Sequence, residues 1–180
     1  MTIASALHAA GRLGVAARVM TDADLPFVAS LYASTRAQEL ALTGWPEAQQ
    51  QHFLELQHRA QDHHYRTYYP EMEWLILEQG GVAIGRLYLA EWPREFRVVD
   101  ISLLPDHRGG GVGGAVFADV QAVATAAGKG VSTHVEKANP ARRLYLRLGF
   151  SVVADKGVYE LLEWFPPGVT PPPAEERAPQ

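Results

Sequence analysis

The sequence contains no cysteine. Disulfides, thiolate-bound metals and a cysteine nucleophile are excluded together. No apolar run approaches the roughly 18 residues needed to cross a bilayer, and no block of like charge stands out. A formal net charge of −4 and a pI near 6.0 give no basis for bulk attraction to nucleic acid or an anionic membrane. Met1 to Ala17 is Ala-rich, but His8, Gly11 and Gly14 break it too often for the apolar core of a signal peptide. No internal repeat is visible. What remains is ordinary: 180 residues, 47% hydrophobic and 20% charged. The expectation is one cytoplasmic domain with no membrane or nucleic-acid partner.

The most informative stretch runs from Arg97 to Gly114. A β-branched apolar run through Ile101, Ser102 and Leu103 stops at Pro105. After Arg108, five of six residues are glycine: Gly109, Gly110, Gly111, Gly113 and Gly114, interrupted by Val112. An apolar-periodic segment from Ala115 to Ala127 follows. This order predicts strand, Gly-rich turn, helix. Glycine lets a backbone approach a ligand closely, and the free N–H groups of a helix start make such a turn an anion site.

Around it, residues 1–14 carry little pattern and read as a loose, flexible lead. Val15 to Thr21 predicts a strand, and Thr21 to Asp24 offers caps for a helix through Leu25, Val28, Leu31 and Tyr32. A second helix, rich in Gln and His, is expected from Pro46 to about Tyr65. Trp74–Glu78 and Val82–Glu91 read as strands joined across Gly80-Gly81. Val131–Glu136 predicts another strand, and Ala141–Leu148 a short helix closed by Gly149. Phe150–Ala154 and Val158–Phe165 make a closing pair. From Pro166 to residue 180 the chain is Pro-rich and reads as an extended tail. The sum is an α/β protein of 15–165, a mixed sheet with helices on both faces.

Several readings of the Gly-rich turn compete. A P-loop requires Lys and Ser or Thr after its last glycine, but Ala115 follows Gly114. Gly109-x-Gly111-x-x-Gly114 fits a dinucleotide fingerprint literally, with Glu136 as the ribose-binding acid. Against it, Pro105 to Arg108 separate strand from glycine, and a meander precedes the unit. A merely flexible loop is the bland alternative.

Taken with the arginine, Arg108-x-x-Gly111-x-Gly113 resembles the pyrophosphate loop of the GNAT superfamily of N-acetyltransferases. Downstream, Asn139, Leu144-Tyr145 and Gly149-Phe150 are similar to that superfamily's second signature. Asn139 to Tyr145 is one residue shorter than the commoner spacing. The resemblance implies a mostly antiparallel splayed sheet and acetyl transfer from acetyl-CoA, as co-substrate and without a metal, to a primary amine. Absence of cysteine agrees with direct transfer in a ternary complex. It further implies that the backbone of Ile101, Ser102 and Leu103 pairs with pantetheine. The Leu103 N–H polarises the thioester carbonyl, and Arg108 with the amides of Gly109, Gly110, Gly111, Val112, Gly113 and Gly114 holds the pyrophosphate. Asn139 and Arg142, with Arg143, fall to the same co-substrate. Tyr145 becomes the general acid at the departing sulfur, its alternative being a core tyrosine.

The base is read from strand parity. Val131 and Val135 share one face, which puts His134 and Glu136 on the other, while Asp100 and Ser102 share a face of their strand. If those faces meet, His134 takes the proton, directly or through water, and Asp100 orients it or binds the amine. Glu73 is a further candidate. His58, Asp62 and His63 have a spacing that metals use, but read as a solvated helix face. Trp45, Tyr65, Tyr68, Tyr69 and Trp74 are candidates for an acceptor pocket or for packing. The acceptor, a small molecule or a peptide amine, and the oligomeric state, a homodimer among the options, stay open. So does a non-catalytic acyl-CoA-binding or sensing module on the same fold.

Overall fold

A computed structural model describes residues 3–173. The strands are β1 (Val15–Val19), β2 (Glu73–Gln79), β3 (Val82–Glu91), β4 (Glu95–Leu103), β5 (Gly130–Glu136), β6 (Ser151–Lys156) and β7 (Tyr159–Trp164). They form a single sheet in the order β1-β2-β3-β4-β5-β7-β6. Every neighbouring pair is antiparallel except β4 and β5. The hairpin between β2 and β3 turns on Gly80 and Gly81, at φ 60° and 78°, the two left-handed residues that a tight hairpin needs. The helices are α1 (His8–Gly11), α2 (Leu25–Ala41), α3 (Glu47–Tyr68), α4 (Val112–Ala127) and α5 (Ala141–Arg147). The parallel pair is joined through α4, the crossover that parallel neighbours demand.

The sheet buries both faces. On one, Leu75, Leu87, Leu89, Phe96, Val98, Val131 and Val135 pack with Val116, Phe117 and Val120 of α4. The other is covered by α2 and α3, with Met72, Tyr88 and Ala90 against Tyr65, Tyr69, Trp74 and Trp92. A bulge sits in β4: Tyr88 opposes Asp100 and Leu89 opposes Val98, leaving Val99 without an opposite number. The extra residue resets the alternation. Val98 and Ile101 consequently both join the α4 side, and Asp100 points toward α3, where Tyr65 reaches it.

The start of the chain corrects an expectation. Residues 3–14 are not a loose lead. A 3₁₀ turn (Ile3–Ala6) and α1 pack into the core, with Ile3 1% and Ala10 0% exposed. The reason lies in α4: the buried Asp119 carboxylate accepts the N–H groups of Ala9 at 2.6 Å and Ala10 at 2.9 Å, satisfying the orphan donors of α1. Residues 166–173 include two buried prolines, Pro166 and Pro172. The remainder of the expected tail, 174–180, lies outside the described residues, as do Met1 and Thr2.

Candidate active site between two diverging strands

β4 and β5 pair only from Glu95↔Gly130 to Val98↔Thr133. Beyond that point the strands part, and the edge of β4 from Val99 onward faces a gap. Leu104 N–H bonds Ile84 C=O at 2.8 Å, while Leu103 lies opposite Gly85. In an antiparallel ladder alternate residues turn both backbone groups the same way. Ile101 and Leu103 therefore turn theirs into the gap. Ser102 turns its own toward β3. Gly85 permits the close approach here: a Cβ on it would lie 2.4 Å from Ser102 O and 2.7 Å from Leu103 Cδ2.

The gap opens onto the Gly-rich turn. Arg108 Nε donates to Leu103 C=O at 2.8 Å, and its terminal nitrogen reaches Ser34 Oγ of α2 at 3.3 Å, so this arginine closes the outer end of β4. Gly109 and Gly111 hold φ values of 76° and 87°, and Gly111 caps α4. A Cβ added at Gly109, Gly110 or Gly111 would meet nothing within 4 Å. The protein's own packing thus leaves room above these amides, and no acidic side chain lies within Gly109–Gly114 to oppose an anion. A polyphosphate with an extended amide-bearing arm fits this combination: anion on the helix start, arm along the free edge of β4.

Tyr145 stands on α5, which Asn139 caps through Oδ1 to the Ala141 N–H at 2.9 Å. The ring packs against Phe117 at 4.6 Å and Phe150 at 6.1 Å and is 6% exposed. Its hydroxyl makes no hydrogen bond to any described residue. Burial, and next the Asp100 charge, push the phenol above its ordinary range, so it keeps its proton at neutral pH.

Asp100 is differently occupied. Arg86 donates to both carboxylate oxygens, at 3.1 and 2.8 Å, with Ser102 Oγ at 2.8 Å and the Tyr65 hydroxyl at 3.3 Å completing the set. Gln61 Oε1 accepts the remaining reach of Arg86 at 2.9 Å. His134 meets Arg97 instead: the guanidinium lies 3.0 Å from Nδ1. Arginine only donates, so Nδ1 is the lone-pair nitrogen and Nε2 carries the hydrogen. Arg97 is itself tied to Ser132 at 2.7 Å and Glu95 at 3.3 Å. Burial, then the Arg97 and Lys156 charges, hold His134 down to about 4.

His134, Asp100 and Ser102 thus share a sheet face, but each carboxylate or imidazole has a buried arginine partner. Those two arginines were missed in the sequence, although one charge inside each of two apolar strand runs, at Arg86 and Arg97, is a legible sign of a buried pair. Arg142 is engaged by Glu160. With Lys137, Asn139 and the exposed Arg143 it lines a polar concavity of about 430 Å³. Of the aromatic candidates, Tyr65, Tyr69 and Trp74 pack on Tyr88 and Trp92, and Trp45 packs on Phe53. None of the five lines the groove between α2 and α3. Glu136 accepts the Tyr159 hydroxyl at 2.9 Å. Among the described residues no three His, Asp or Glu side chains gather around a metal position, and no helix is long and apolar enough to cross a membrane.

The model of the acetyltransferase (GNAT) family matches residues 35–150. No curated protein matches the sequence. Among solved structures, the PaiA N-acetyltransferase of Thermoplasma acidophilum in complex with coenzyme A is similar at 13% identity and a TM-score of 0.65, over 84% of this chain and 98% of that one. An acetyltransferase from Thermus thermophilus is similar at 20% identity and a TM-score of 0.58, covering 84% and 96%. A GNAT family acetyltransferase from Elizabethkingia anophelis with acetyl-CoA bound is similar at 14% identity and a TM-score of 0.55, covering 84% and 98%.

Proposed function

This chain belongs to the GNAT acetyltransferase family, and on that premise we propose that it transfers the acetyl group of acetyl-CoA directly to a primary amine. The observation that carries the reading is the unpaired edge of β4 beyond Val98, opening onto bare amides at the start of α4. Acetyl-CoA would supply the activated thioester. The amides of Gly109 to Gly114 would hold its pyrophosphate, and Ile101 and Leu103 would pair with its pantetheine. The arm enters from the Gly-rich turn beside Leu103, so the thioester lies deeper. Its carbonyl then falls to the Ile101 N–H rather than to that of Leu103, an oxyanion donor that needs no reorganisation. Tyr145, protonated and hydrogen-bonded to no described residue, donates to the departing sulfur.

Asn139 serves this site by holding α5, and with Arg142 paired to Glu160 and Lys137 to Asp155, Arg143 is the cation of that concavity that pairs with no described residue. The rival reading is a non-catalytic acyl-CoA-binding module, favoured by the occupied state of Asp100 and of His134 Nδ1. One experiment separates them. Thermal shift with acetyl-CoA, NAD and NADP tests the co-substrate, and thiol release across a panel of primary amines tests turnover. Stabilisation by acetyl-CoA with turnover supports the transferase. Stabilisation with no turnover on any amine supports the module, and stabilisation by NAD alone overturns both.

A further inference from the structure

Two parts of the site are held independently of one another. The edge of β4 is fixed by its ladder to β3, down to the Leu104 N–H on Ile84 C=O at 2.8 Å. The glycine amides belong to the start of α4, which is anchored by the buried Val112 and Val116. Leu144 of α5 also stands against it, 3.7 and 3.5 Å from where a Cβ on Gly113 or Gly114 would lie. Between the two parts runs the turn 104–111, in which Pro105, Asp106 and Arg108 to Gly111 are exposed. Its backbone bonds are local, His107 N–H to Leu104 C=O at 3.0 Å and Arg108 N–H to Pro105 C=O at 3.1 Å. The side-chain hydrogen bonds from this turn to described residues both come from Arg108. Its Nε donates to Leu103 C=O at 2.8 Å. The peptide joining Leu103 to Leu104 is therefore held at its carbonyl by Arg108 and at its N–H by Ile84. Nη2 of the same guanidinium reaches Ser34 Oγ at 3.3 Å. Ser34 gives its own hydrogen to Leu31 C=O at 2.7 Å, and Leu31 is fully buried, so the far anchor sits on the core side of α2.

We propose that Arg108 is a positioning residue, a staple that fixes the spacing between the free edge of β4 and the glycine amides, rather than the phosphate ligand its place in the sequence suggests. The proposal rests on the co-substrate reading above. Nε and Nη2 lie along one edge of the guanidinium, the edge that grips a phosphate through two parallel bonds. Here that edge is filled by a carbonyl and a hydroxyl. A ligand that touches both parts of the site at once, with its pyrophosphate on the amides and its arm on Ile101 and Leu103, gains from a fixed separation. Binding of one half then presents the other to its partners at high effective concentration. A ligand that touches the amides alone gains nothing from it. The positive charge is a separate matter, because Arg108→Lys supplies it equally. The staple instead needs two donors on a rigid planar fork, which a lysine ammonium does not have.

The test is calorimetric titration of the wild type, Arg108→Lys and Ser34→Ala with acetyl-CoA and with adenosine diphosphate, which carries the pyrophosphate without the arm. Arg108→Lys keeps the charge and loses the fork, whereas Ser34→Ala keeps the arginine and removes its anchor on α2. Acetyl-CoA should bind about tenfold more weakly to Arg108→Lys and about threefold more weakly to Ser34→Ala, with adenosine diphosphate within about twofold of the wild type in both. Arg108 is exposed and Ser34 half-buried, so both variants should melt near the wild type, which separates a lost spacing from a lost fold. Equal weakening of the two ligands in Arg108→Lys would make the arginine a fork-bound phosphate ligand and overturns the proposal. An acetyl-CoA affinity unchanged in either variant overturns it as well, leaving a bare charge at 108 or a helix with no part in the spacing. Failure of acetyl-CoA to bind the wild type overturns the co-substrate reading itself.

Discussion

Replacing Asp100 by Ala should destabilise the protein far more than the loss of a surface charge would. The Arg86 side chain is 2% and the Asp100 side chain 11% exposed, and the guanidinium binds both carboxylate oxygens. Removing the anion strands a buried cation, a change worth about 3–5 kcal/mol, against about 0–1 kcal/mol for an exposed pair. At about 2–4 °C per kcal/mol for a chain of this size, the melting temperature should fall by roughly 6–20 °C. The double variant Arg86→Met/Asp100→Leu removes both charges and keeps volume, so it should recover most of that loss. Calorimetry of the wild type, the single variant and the double variant gives the stability cycle, and thiol release on the same samples gives activity. A single variant melting within about 2 °C of the wild type would contradict the buried-pair account. A double variant as stable as the wild type but devoid of turnover would refute the assignment of Asp100 to structure and restore it to the chemistry.

Tyr145→Phe should lower kcat about 100-fold or more while acetyl-CoA affinity and melting temperature stay near wild type, since the hydroxyl bonds no described residue; isothermal titration and turnover decide it. Folding stability should fall as pH drops from 6.5 toward 4, because His134 is held down to about 4 in the folded protein and the unfolded chain takes up a proton first. Denaturation of His134→Gln over that range should show a shallower slope, and an unchanged slope counts against the Arg97 contact. Gly85→Ala should cost roughly 1–3 kcal/mol and weaken acetyl-CoA binding, since its Cβ would press on Ser102 O and Leu103; titration with unaltered affinity would show that the outer end of β4 is not part of the site.

The strand, Gly-rich turn and helix could be read in advance because each has a local signature: β-branched residues to Leu103, glycine where φ is positive, apolar periodicity after Ala115. The short helix that carries Tyr145, between Asn139 and Gly149, was legible for the same reason. The partners of the charged groups were not. Arg86 reaches Asp100 across a hairpin whose register depends on the bulge at Val99, and no period in the sequence announces an extra residue. Parity put His134 on one face of β5 and Asp100 on one face of β4, but could not say that Arg97 stands against the imidazole. The order at residues 3–14 hinges on Asp119, a lone acid inside an apolar helix. The partners of α3 were not legible either: the helix buries no residue fully, so the face on which Gln61 and Tyr65 reach Arg86 and Asp100 looks as hydrophilic as the outer one.

The seam between Glu95–Val98 and Gly130–Thr133 is also, among the described residues, the only strand pairing between β1–β4 and β5–β7. Within the flaps, β2–β3, β3–β4 and β6–β7 are hairpins of nearby residues, whereas the seam unites segments some three dozen positions apart. A molecule lodged past the seam would act as a rivet; the framework would then owe part of its rigidity to that molecule, and its departure would leave the two flaps freer to rock.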